Sequence, residues 1–213
     1  MYHIFMRNVN VRRGMSKIVI SQFLAIATAL FAIVTIVVTY ISDAVYTEAD
    51  IYHTAIESSA ILLIFIAICS FFGLIINIAG VRNAAKDEPK FNKAIMFIVI
   101  GIILSILRVV FVDTSYADYI TISEYVMDYM AIHSVIMALS VALDSDPGSS
   151  GSVKGVSKVV KFCYVIIGIC VFISGLVEMM QVPAIIGVAI HLILQLSRMT
   201  ACIFYITQLR QAE

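Results

Sequence analysis

The stretch TISEYVMDYMAIHSVIMALSVAL, residues 121–143, decides the fold. A helix crosses the bilayer core with roughly 20 mainly apolar residues, and this run is long enough, yet it opens with Glu124 and Asp128. Its flanks show that it crosses. Before it lie Asp113 and Asp118 with no basic residue; after it comes DSDPGSSGSVKGVS, residues 144–157, whose Lys154 is followed by Lys158 and Lys161. Lys and Arg accumulate on the cytoplasmic side of a membrane protein. The two flanks therefore belong on opposite sides, and 121–143 joins them as a fourth span.

The same ruler applied outward finds five stronger runs, giving spans at about 18–41, 56–80, 93–112, 121–143, 157–179 and 182–208. Twelve of the 14 Lys and Arg fall in four segments: Arg7, Arg12, Arg13 and Lys17; Arg82, Lys86, Lys90 and Lys93; Lys154, Lys158 and Lys161; and Arg210. The intervening first, third and fifth loops carry only acids: Asp43, Glu48, Asp50 and Glu57, then Asp113, Asp118 and Glu124, then Glu178. An even number of spans with both termini in the cytoplasm gives this alternation. Five or seven spans would put a basic cluster outside. The expected fold is all-α: a polytopic helical bundle with six transmembrane helices. Residues 1–16 form a cationic cytoplasmic segment lying against headgroups, 17–208 the membrane domain, and 209–213 a cytoplasmic tail.

Composition agrees. Of 213 residues, 62% are hydrophobic and 13% charged, with a mean hydropathy of +1.02. Soluble domains run at about half apolar and about a quarter charged, so a soluble globular domain is excluded. The first run exceeds a signal-peptide core and is expected to stay as a signal anchor. Cys69, Cys163, Cys170 and Cys202 all lie in apolar runs and read as packed thiols, with no disulfide framework and no CxxC pair. The loop VRNAAKDEPKFNK, residues 81–93, carries Pro89 as a helix stop. The 144–157 loop is expected to be the most mobile, and 42–55 the sizeable exposed loop. Ser16–Lys17, Asn92–Lys93 and Ser157–Lys158 each open an odd-numbered span. Three repeated hairpins fit this, as does any positive-inside hairpin.

Helices in lipid associate through small and polar residues. Span 1 offers Ser21, Ala25, Thr28, Ala32 and Thr35 on one face, span 2 offers Ser70, Gly73, Asn77 and Gly80, and span 5 offers Cys163, Cys170 and Ser174. Helix packing explains these stripes. Span 6 demands more. His191, Gln195 and Arg198 share a face, about 12 Å deep for His191 and about 22 Å for Arg198 at 1.5 Å per residue. An arginine there costs at least ~2.5–3.5 kcal/mol on insertion scales, so it must point into protein or water. Span 4 presents Tyr125, Tyr129 and His133, with His133 expected at the depth of His191. Two imidazoles at one level suit a proton relay or a polar ligand site. Arg108 of span 3 is expected to pair with Asp128 as a structural clamp.

Gly148–Ser149–Ser150–Gly151 matches a rhomboid-type GxSG string but lies in a hydrophilic loop. HExxH, GxGD, Walker and GxGxxG motifs are absent from the sequence. Three function classes stand. The first is a small transporter or channel-like protein with a polar site between spans 3, 4 and 6, lined by His133, His191, Gln195, Arg198 and Tyr129. The second is a non-catalytic membrane subunit, sensor or immunity-type protein whose stripes only pack helices. An intramembrane enzyme comes last, for want of a nucleophile–base pair. No cofactor, metal or nucleic acid is expected. The lipid bilayer is the expected partner, with a homo-oligomer or larger membrane complex and a small-molecule or ion substrate of unknown identity. The isoleucine-rich, lysine-edged spans are expected in a bacterial plasma (inner) membrane.

Overall fold

The computed structural model describes residues 9–45, 49–111, 116–143, 150–179 and 184–210, and their side chains except at 41–58, 118, 143, 150–157, 174–179 and 184. The described residues form six long helices: α1 (Val9–Val45), α2 (Ala49–Ala84), α3 (Asn92–Val110), α4 (Ala117–Leu143), α5 (Ser150–Met179) and α6 (Ala184–Arg210). A single 3₁₀ turn, Pro89–Phe91, joins α2 to α3. Five helices hold a stretch long and apolar enough to cross a membrane: Val9–Tyr40, Ser59–Ala84, Pro89–Val110, Tyr119–Ala142 and Ile185–Arg210. Side chains such as Ile64, Phe71, Ile106 and Phe172 stand outward and exposed. An apolar exterior of this extent is the surface of a multi-pass membrane protein.

Helices adjacent in sequence run antiparallel, and each odd–even pair packs as a tight hairpin: α1 on α2, α3 on α4, α5 on α6. Around the bundle α4 also packs on α5 and α6 on α1, while α2 meets α3 only thinly. The six helices thus make a ring in chain order with one thin seam.

Where the ring closes is set by sequence. Met15 and Ile18 at the start of α1, Val81 and Ala84 at the end of α2, and Phe91 and Ala94 at the start of α3 are buried. So are Val135 and Leu139 late in α4, Val160 early in α5, and Tyr205 and Leu209 late in α6. All belong to one apolar cluster. Starts of odd helices and ends of even ones lie at the same end of the bundle, here called the basic end because Arg12, Arg13, Arg82, Lys86 and Arg210 stand exposed around it. There the interior is sealed.

Two local devices tie α1 to α2 at that end. Gly14 and Gly80 bring the backbones together: a Cβ on Gly80 would lie 2.8 Å from the Gly14 carbonyl oxygen. Asp87, in the turn after α2, accepts the Asn10 backbone N–H at 2.8 Å, the Asn10 Nδ2–H at 2.8 Å and the Val11 N–H at 3.3 Å. The first turn of a helix has no partners of its own for these N–H groups, and it favours negative charge.

Helix ends overrun the apolar ruler. Residues 9–16, expected to lie on headgroups, are the first turns of α1, because Val11 and Met15 pack into the core. The expected 42–55 loop is helical through Val45 and again from Ala49; polar residues continue a helix beyond the apolar stretch. Pro89 acts as foreseen: α2 stops before it and the Glu88 carboxylate accepts the Lys90 N–H at 3.2 Å. Residues 144–149, with Gly148 and Ser149 of the GxSG string, lie outside the described residues, as do the side chains of Ser174 and Glu178, while the rest of the expected 144–157 loop is already helical from Ser150.

Candidate functional site

Two helices carry the same pattern toward the ring interior. On α4, Asp128, Ala131, Val135 and Leu139 follow at i, i+3, i+7 and i+11; on α6, Arg198, Ala201, Tyr205 and Leu209 do the same. At 3.6 residues per turn these spacings keep each set on one face. The three residues below each charged group are buried, which fixes that face as inward. The opposite faces, with Val126 and Met137 on α4 and Leu196 on α6, are exposed apolar surface.

Asp128 is nevertheless exposed, and so is His191, one turn pair above Arg198 on the inward face of α6. Toward the basic end the inward faces are buried, so Asp128 and Arg198 stand where the accessible part of the ring interior ends. Arg198 is half-buried at this floor. Its guanidinium lies 5.9 Å from the centroid of the Tyr125 ring of α4, a cation–π contact, and within electrostatic reach of Asp128. Among the described residues, it makes no ion pair and no hydrogen bond.

On its other side Arg198 reaches a cavity of about 170 Å³ between α1, α2 and α6, lined by Ser21, Gln22, Ala25, Thr28, Cys69, Ser70, Gly73, Leu74 and Asn77. The polar stripes of the first two helices thus serve twice. They pack closely at Gly14 and Gly80, and they wall a polar chamber. The Ser21 and Thr28 hydroxyls donate to the carbonyls of Ile18 (2.7 Å) and Leu24 (2.9 Å), which satisfies their protons within α1.

The remaining candidates fall elsewhere. Arg108 takes Glu124 rather than Asp128 as its partner: Nη1 lies 3.5 Å from Glu124 Oε2, and the Ser105 hydroxyl donates to Oε1 at 2.6 Å. The correction is one helical turn. Glu124 stands nearer the α3–α4 connection, level with Arg108, whereas Asp128 lies further in, with its Oδ1 3.9 Å from where a Cβ on Gly101 would stand. Arg108 is 45% exposed, so the pair sits at the edge of the bundle.

His133 stacks on Tyr129 at 5.8 Å, and Tyr129 lies 5.7 Å from Tyr164 of α5. Tyr129 and Tyr164 meet across the α4–α5 seam beside a cavity of about 230 Å³, and His133 lies about 140° round α4 from Asp128. No contact joins His133 to His191 among the described residues. His133 Nδ1 and Gln195 Oε1 are both buried without a hydrogen-bond partner among the described residues.

The structure thus brings Arg198 beside Tyr125 and near Asp128, leaves His191 on the same face of α6, and adds the α1–α2 chamber, which the sequence had suggested only as packing. Helix α3 contributes room through Gly101 and no charged group to this floor. No family model matches this chain, and neither a curated protein nor a solved structure matches it.

Proposed function

We propose that the chain is a small transporter or channel-like protein whose substrate path is the crevice ending at Arg198. The observation that carries this reading is the exposure of Asp128 and His191 on faces that point inward. A bundle that only held helices together would fill that space, since unsatisfied polar groups in a membrane interior are costly. With both termini cytoplasmic in a plasma membrane, the crevice opens outward and the apolar cluster at the basic end is the closed gate. His191 and Asp128 line the approach, and Arg198 is the binding group at the floor.

A second reading, a non-catalytic membrane subunit, sensor or immunity-type protein, is favoured by one observation. Ser21, Thr28 and Thr35 donate their hydroxyl protons to carbonyls of their own helix, as packing residues do. The two readings separate in proteoliposomes. Stopped-flow swelling in a panel of iso-osmolar small solutes should show at least one solute entering faster with the native protein than with Arg198→Leu, both inserted at equal density. Equal swelling for every solute would favour the subunit reading, and failure of Arg198→Leu to accumulate would make the arginine a structural pin.

A further inference from the structure

We propose, on the reading of the crevice as a substrate path, that the Arg198 chamber takes a small oxyanion, such as a carboxylate or a phosphate. A guanidinium carries five N–H donors in a planar fork. In this structure its near neighbour is the face of Tyr125, 5.9 Å away, which attracts the charge but accepts none of the fork's hydrogen bonds in the ring plane. Asp128 is within electrostatic reach yet beyond ion-pair distance. The donors are therefore unspent, in a bundle where an unmade hydrogen bond is expensive.

The chamber they face is made for an acceptor-rich guest. Its walls include Gln22, Ser70 and Asn77 and no carboxylate, so the amide N–H groups and the Ser70 hydroxyl add donors beside the one cation. A cationic solute would meet Arg198 and be repelled, and a neutral polyol would leave the charge uncompensated. A carboxylate or phosphate offers two coplanar oxygens to the fork, the pairing for which arginine is suited over a point charge. At about 170 Å³ the chamber has room for a small anion.

Cys69 lines the same chamber and is a free thiol, which supplies a built-in reporter. The native protein in detergent micelles is alkylated with N-ethylmaleimide, and the rate at Cys69 is read by peptide mass spectrometry. Sodium chloride, sodium acetate and sodium phosphate are compared at equal ionic strength. Acetate or phosphate should slow Cys69 about tenfold relative to chloride, the protection given by a ligand at ten times its Kd. Arg198→Gln should abolish the protection and Arg198→Lys restore part of it. Equal rates in the three salts, an unreactive Cys69, or protection that survives Arg198→Gln would overturn the proposal. Should that variant fail to fold, the comparison of salts on the native protein still decides. Equal rates at Cys69, with solute entry in the swelling assay still dependent on Arg198, would remove the anion and leave the path standing.

Discussion

Replacing Gly80 with alanine should separate α1 from α2. The new Cβ would lie 2.8 Å from the Gly14 carbonyl oxygen, 2.8 Å from Ile18 Cγ1 and 3.1 Å from the Ile18 nitrogen. Two of these three are backbone atoms, which no rotamer change can move, so the helices must part. Overpacking of this kind costs about 1–3 kcal/mol. Alanine's better helix propensity returns about 1 kcal/mol, leaving a net loss of up to about 2 kcal/mol. Gly73 of the same helix is the control. There a Cβ meets nothing nearer than Leu24 Cβ at 3.5 Å and the Ser21 oxygen at 3.6 Å. Gly73→Ala should therefore be neutral or stabilising by up to about 1 kcal/mol. Thermal unfolding in detergent, followed by circular dichroism, should lower the midpoint for Gly80→Ala and hold or raise it for Gly73→Ala. Equal midpoints would refute the close crossing of the first hairpin.

Asp87→Ala should cost about 1 kcal/mol by uncapping the first turn of α1, with faster proteolysis near Asn10 as the readout; an unchanged cleavage rate would argue against the clasp. A double-mutant cycle on Arg108 and Glu124 should give a coupling of about 0.2–1 kcal/mol, small because Arg108 is 45% exposed. The same cycle on Arg108 and Asp128 should give none, and a larger coupling there would reinstate the deeper clamp.

How far the sequence speaks can be seen residue by residue. Charge alternation around 121–143 identified the fourth helix despite Glu124 and Asp128, because the charges of the flanking loops mark a crossing independently of how the helices later pack. Arg198 drew notice in the sequence because an arginine in mid-span needs protein or water around it, and in the structure it lies on the inward face of α6 beside Tyr125. The partner of Arg108 was misread by one turn. A short connection makes α3 and α4 neighbours, but the relative height of two helices depends on packing that hydropathy does not record. His133 was drawn toward His191 because depth was counted and rotation was not; it lies about 140° round α4 from Asp128 and stacks on Tyr129. Gln22 of the chamber gave no signal, since a single amide in an apolar run reads the same whether it packs or lines a cavity. The overrun of α1 to Val9 escaped a ruler that counts only apolar residues.

The decisive measurement is the reactivity of cysteines placed at Asp128 and His191 in a protein otherwise free of cysteine. Intact cells are treated from outside with a charged, membrane-impermeant thiosulfonate. Asp128→Cys and His191→Cys should both be modified, while Val126→Cys on the lipid face and Val135→Cys in the sealed core should not. If Asp128→Cys and His191→Cys stay as silent as Val135→Cys, water does not enter the ring, and the crevice ending at Arg198 does not exist.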